Sequence, residues 1–150
     1  MAKNKSIGRR YLGLDLSTSP GFAVIDVKNG RPSLVTATSV ATSTRNTDSE
    51  RYSYIEAKAV MVAHDYGPFD GVIREDYTRG RNKRAIQTVY GSWASVDKAL
   101  GRYGYAVTAH ITPTTVKKIV GGHGGATKGE VAEGVRRLLR LKSAYAFDSD

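Results

Sequence analysis

Four acidic residues stand where their surroundings ask for an explanation. Asp15 is flanked by Leu14 and Leu16, Glu75 follows the short apolar run Gly71-Val72-Ile73, and Asp148 and Asp150 close the chain. Burying a lone carboxylate costs several kcal/mol unless it is paired or bound to a metal, so acids in such contexts are often functional. Two or three carboxylates brought together repel one another, and the usual compensation is a hard divalent cation that prefers oxygen ligands. Two Mg²⁺ ions about 4 Å apart can activate water and stabilise the leaving oxygen in phosphodiester hydrolysis. The plain alternative is that Asp15 lies on the solvent side of its strand and that Asp148 and Asp150 form a solvated tail.

These acids sit in a basic chain. Across 150 residues, 23 Lys and Arg face 14 Asp and Glu, a formal charge of +9. A polyanion is the partner such a balance favours, because neutralising phosphates with Lys and Arg is the main source of sequence-independent affinity for nucleic acid. The excess is clustered in the second half. Arg79, Arg81, Lys83 and Arg84 crowd together, and eight more cations lie between Arg102 and Lys142. An acidic centre inside basic flanks suits a nuclease, in which the flanks hold phosphates and a metal makes the centre electrophilic.

Composition narrows the class further. The absence of cysteine excludes a disulfide framework, a Cys-based zinc site and a thiol nucleophile. No window approaches 18 uninterrupted apolar residues, and Met1 to Arg10 are polar and basic, so neither a membrane span nor a signal peptide is expected and a soluble, cytoplasmic protein is the simplest reading. The length suits a single domain over 1–150 with a sizeable core.

The elements that must position the acids can be read from periodicity. Leu12, Leu14 and Leu16 alternate with Gly13 and Asp15; Phe22, Val24 and Val27 follow the turn signal Ser19-Pro20-Gly21; Asn29-Gly30 is a hairpin turn leading to Leu34 through Val40. This is an antiparallel meander of three strands. Ala41 to Asp48 reads as a loop, with Asp48 or Ser49 capping a helix whose stripe is Ile55, Ala59, Val60 and Val62. After Gly67-Pro68 come a short buried strand at Gly71 to Glu75 and a long helix carrying Ile86, Val89, Trp93, Val96 and Leu100, with Tyr90 and Tyr103 on its flanks. Tyr105 to Ile111 reads as a strand, Pro113 opens a helix over Thr114 to Val120, Gly121 to Gly125 breaks it, and Val131, Val135, Leu138 and Leu139 mark a last helix. The order β-β-β-α-β-α-β-α-α predicts an α/β fold, a mixed five-stranded sheet with three antiparallel strands, then two parallel ones, and helices on its faces. In such a sheet the first strand is central and the fourth pairs beside it, which would make Asp15 and Glu75 neighbours.

Tyr11-Leu-Gly-Leu-Asp15-Leu-Ser-Thr-Ser-Pro-Gly21, Val72-Ile-Arg-Glu75-Asp-Tyr77, Val116-Lys117-Lys-Ile-Val-Gly-Gly-His-Gly-Gly-Ala-Thr-Lys128 and Val135-Arg-Arg-Leu-Leu-Arg-Leu141 ahead of Asp148 resemble, in that order, the RuvC family of Holliday junction resolvases. The resemblance covers nearly the whole chain. It implies a ribonuclease-H-like fold, a homodimer, and paired nicking of four-way DNA junctions that depends on Mg²⁺, with Mn²⁺ as a substitute. Asp15 matches the family's first metal-binding acid, Glu75 the second and Asp148 the third. The family's last acid lies a few residues further on a closing helix, so either Asp150 takes its place or the chain stops before that helix; the second is the expectation. Lys117 and Lys128 match the family's two DNA-contacting lysines near the acids, with Lys118 beside them, and the glycine-rich loop between would let backbone approach the substrate. His123 in that loop reads as a bystander.

Tyr77-Thr-Arg79-Gly-Arg81-Asn-Lys83-Arg84 joins one aromatic to four cations directly after Glu75. It suits phosphate clamping plus stacking of a junction base on Tyr77, or else a solvated loop with Tyr77 capping the core. Two other functions are open: a catalytically weak or silent module that binds branched DNA, and, through Asp15-Leu-Ser-Thr, a fragment resembling the phosphate loop of sugar kinases and actin-like ATPases.

Overall fold

The computed structural model describes residues 8–16, 19–76 and 82–147. The chain runs β1 (Arg9–Asp15), β2 (Gly21–Lys28), β3 (Arg31–Ser39), α1 (Asp48–Tyr66), β4 (Gly71–Glu75), α2 (Lys83–Gly101), β5 (Ala109–Ile111), α3 (Pro113–Val120) and α4 (Lys128–Leu139). The strands form one sheet in the order β3-β2-β1-β4-β5. β1 pairs antiparallel with β2 and β2 with β3, whereas β1–β4 and β4–β5 are parallel. The meander and its parallel extension are those the sequence predicts.

Local chemistry explains most of the boundaries. Asn29 and Gly30 both take positive φ, 54° and 71°, the conformation of the two-residue turn whose twist matches its flanking strands. The hairpin therefore closes at once, pairing Lys28 with Arg31, and β3 begins three residues before the expected Leu34. α1 is capped by Thr47, whose hydroxyl accepts from the Glu50 amide at 3.2 Å, and not by Asp48 or Ser49. Asp48 instead pairs with Arg84. Within α1 the buried residues are Ile55, Ala59, Val62 and Ala63, and Val60 is only partly covered.

The expected strand over 105–111 shrinks to Ala109–Ile111. Its first half runs beside β4 with one backbone bond, Thr108 N–H to the Val72 carbonyl at 2.8 Å, while side chains take the rest: Thr108 Oγ1 accepts from the Val72 amide at 3.1 Å, and the Tyr105 hydroxyl accepts from the Phe69 amide at 3.3 Å while its own amide donates to Leu100. Tyr103 falls past the end of α2 and is not on that helix.

The pleat sends Leu12, Leu14, Phe22, Val24 and Val72 to one face of the sheet, where α1 and α2 cover them. The two helices approach closely because residue 91 is glycine: a Cβ there would sit 2.2 Å from the Tyr52 ring. Trp93 packs against the edge of this core with Tyr90 edge-on to it at 5.1 Å and the Arg74 guanidinium 3.9 Å above its ring.

Candidate active site

Asp15 and Glu75 end neighbouring parallel strands. The register pairs Leu14 with Arg74, so the next residues on β1 and β4 are Asp15 and Glu75. Alternation turns both away from the α1/α2 core, with Gly13 and Ile73 on the same side. In open α/β sheets the carboxyl ends of the strands are where ligands bind. Here they open on a cleft of about 350 Å³ whose lining includes Asp15, Glu75, Gly13, Ile73, Tyr145 and Phe147.

The electrostatics match the geometry. Burial raises the Asp15 carboxyl above its ordinary value, and Lys128 opposes that shift. Although the Asp15 side chain opens to solvent at the mouth of the cleft, the walls remove enough water to disfavour its charge. Burial also raises Glu75, repulsion from Asp15 adds to the rise, and Lys117 opposes it. Each acid thus has one lysine within electrostatic reach, and the pair is not free of cations as the acids alone would suggest. Lys117 lies in the last turn of α3 and Lys128 is the first residue of α4, after the cap Thr127. A cation at a helix N-terminus opposes the helix dipole, so Lys128 is placed against local preference.

Two hard oxygen donors that disfavour each other's charge are a set that a divalent cation would satisfy. Among the described residues no cluster of three or more His, Cys, Asp and Glu forms a metal site. Asp148 and Asp150 lie outside the described residues, as do Tyr77, Arg79 and Arg81.

The remaining basic residues are placed as follows. Lys118 is exposed on α3, and Lys83 is exposed at the start of α2. Arg84 is held by Asp48 at 2.8 Å and by Gln87 at 3.0 Å, so a phosphate would compete with a carboxylate for it. His123 pairs with Glu130 at 2.6 Å, tying the loop to the first turn of α4 and holding Glu130 below the usual carboxylate range.

Two glycines of this region, Gly121 and Gly134, serve packing between helices. A Cβ at Gly121 would lie 2.4 Å from that of Ala126, and one at Gly134 would lie 2.0 Å from the Val120 carbonyl oxygen. These two bring α3 and α4 together, whereas Gly122, Gly124 and Gly125 meet no crowding neighbour; Gly122, at φ +94°, needs glycine for its backbone alone. Sequence reasoning passed over Gly134, and also Tyr145 and Phe147, although two aromatics at alternate positions just before Asp148 were a usable sign.

Comparison with known proteins bears on this site. The family described as crossover junction endodeoxyribonuclease RuvC matches residues 11–149. The chain is 31% identical over 139 residues to the crossover junction endodeoxyribonuclease RuvC of Thermus thermophilus, covering 91% of this chain and 78% of that protein. It is 33% identical over 136 residues to that of Helicobacter pylori, covering 89% and 84%. The solved structure of T. thermophilus RuvC in complex with Holliday junction substrate superposes with a TM-score of 0.83 at 30% identity, covering 93% of this chain and 85% of that one.

Proposed function

The chain belongs to the RuvC family of crossover junction endodeoxyribonucleases, and on that premise we propose that Asp15 and Glu75 are two of the acids with which it hydrolyses phosphodiester bonds in four-way DNA junctions. The observation that carries this reading is the acid pair itself: two carboxyls on adjacent parallel strand ends, both pushed up by burial, each opposed by one lysine.

A divalent cation, Mg²⁺ with Mn²⁺ as substitute, would be held by Asp15 and Glu75 together with Asp148, and with Asp150 if it takes the place of the family's last acid, and would supply polarisation of the phosphate and a more acidic water. Lys117 and Lys128 act as point charges for the phosphates and oppose the burial that disfavours the charge of their acids. Lys118, Lys83, Arg84 and the segment with Tyr77, Arg79 and Arg81 extend the basic track that follows the DNA arms.

A four-way junction presents two equivalent strands to be cut, so symmetric nicking asks for two copies of the site related by a twofold axis. We therefore take the working unit to be a homodimer. Tyr54 and Tyr90, each 51% exposed on α1 and α2, offer apolar surface for it. No described helix is long and apolar enough to cross a membrane, and a DNA substrate is in keeping with a cytoplasmic activity.

The test is incubation of an end-labelled synthetic four-way junction and a linear duplex of the same sequence, with Mg²⁺ or with EDTA. Paired nicks in the junction, only with Mg²⁺, are expected. Junction binding without cleavage under either condition would replace this reading with that of a silent branched-DNA-binding module.

A further inference from the structure

The turn between α3 and α4 is Gly121-Gly-His123-Gly-Gly125, so His123 supplies its only side chain. Glycine has the freest backbone of any residue, and such a run does not hold its own shape. His123 fastens it to the helix that follows. Its Nε2 donates to Oε2 of Glu130 at 2.6 Å, and its carbonyl oxygen accepts from the Ala126 amide at 3.1 Å, which closes the turn over the buried Ala126. Glu130 is at the same time half of a capping box. The Thr127 hydroxyl accepts from the Glu130 amide at 3.2 Å and donates to Glu130 Oε1 at 3.4 Å. These contacts bracket one residue of the chain, Lys128, the first of α4.

We propose that His123 is a positioning residue for Lys128: by holding Glu130 in the cap it fixes the first turn of α4, and with it the direction from which Lys128 meets a DNA phosphate. The inference rests on the reading of Lys128 as a phosphate contact. A lysine is a poor first residue for a helix because its charge opposes the dipole, whereas an acid in the first turn favours that end. If Glu130 left the cap, the turn would keep its cation and lose the charge that offsets it. The Lys128 ammonium rides on a flexible stem, so its backbone anchor decides which phosphate it reaches. His123 and Glu130 keep 58% and 45% of their side-chain surface, and an exposed pair contributes little to global stability. What the pair does supply is a fixed geometry for the one turn that carries this lysine.

The experiment is a double-mutant cycle of H123A and K128A on four-way-junction affinity, read by fluorescence anisotropy in Ca²⁺ with the full chain. K128A should weaken binding about eightfold at about 0.1 M salt and make the salt plot shallower by about 0.9, as for one phosphate contact. H123A should weaken it about threefold, within the range of an exposed pair, with a Tm within about 2 °C of wild type. The double variant should bind as K128A does, because His123 acts through Lys128. H123Q, whose amide can donate to Glu130, should recover the loss, which a role in filling space alone would not predict. H123L fills the turn without a donor; it should be as weak as H123A and serves as the test if H123A does not fold. H123A binding as wild type does, or losses from H123A and K128A that add in full and so make His123 a separate DNA contact, overturns the proposal. If K128A itself keeps wild-type affinity and salt slope, the phosphate reading of Lys128 falls, and the role of His123 with it.

Discussion

The two faces of the sheet are built for different ends. On one, Leu12, Leu14, Val24 and Val72 are almost completely buried beneath α1 and α2, which contribute Ile55, Ala59, Val62, Val96, Ala99 and Leu100. On the other, α3 contributes no buried residue and α4 only Gly134, while Ile119 and Leu138 remain 67% and 45% exposed. Asp15 and Glu75, together with the lysines that oppose them, belong to this thinner face. The contrast separates stability from chemistry within single strands, since Leu14 and Asp15 are consecutive residues. A well-packed side can carry the free energy cost of leaving two carboxyls unrelieved on the opposite side.

The sharpest break of that comparison is Asp15→Asn. Cleavage of a four-way junction with Mg²⁺ should fall on the order of 10³-fold, as for loss of one essential charge-stabilising group in other active sites, while junction affinity in Ca²⁺ is kept. The same variant should be more stable than wild type at neutral pH in EDTA. A carboxyl whose folded value is raised favours folding fully only below its unfolded value, about 4, and that contribution is lost as pH rises through the folded value. The gain in Tm should therefore vanish in acid, where both side chains are neutral. A variant less stable than wild type at pH 7 would mean that Asp15 makes a structural bond.

Leu12→Ala is the converse. It should cost about 3 kcal/mol, seen as a Tm lower by about 10 °C, with cleavage per folded molecule unchanged below the transition. Loss of activity without loss of stability would show that the two faces are coupled.

Replacing Lys117 and Lys128 together by Ala should weaken junction binding and make the plot of log affinity against log salt shallower by about 2. An unchanged slope would remove both from the phosphate contacts. The smallest effect belongs to Ile119→Ala, which should change stability by less than about 0.5 kcal/mol; a larger loss in chemical denaturation would show that the outer face of α3 is covered in solution.

Much of this arrangement could be read along the chain because it depends on near neighbours. The Asn29-Gly30 turn, the alternation through Leu12 and Leu14, and the α2 stripe of Val89, Val96 and Leu100 are patterns of two to four residues, and each produced its element. Departures occurred where a side chain took over a backbone partner, as Thr108 did beside β4, or where a local cap candidate had a distant suitor, as Asp48 had in Arg84. Gly134 had no local sign, since its value lies in the Val120 carbonyl it faces across two helices.

By itself, then, the sequence determined the order of elements, the family to which the motifs point, and Asp15 and Glu75 as acids out of place. The order of elements already predicted that these acids would be neighbours; tertiary structure realised it in register. They lie 60 residues apart and become neighbours only because β4 adds in parallel to β1, a pairing settled by the helices that bury both strands. Tertiary structure decided which lysine opposes which acid, and that Arg136 donates to the Tyr145 carbonyl oxygen beside the cleft. Contacts of that kind depend on several elements packing at once, and short-range periodicity carries no record of them.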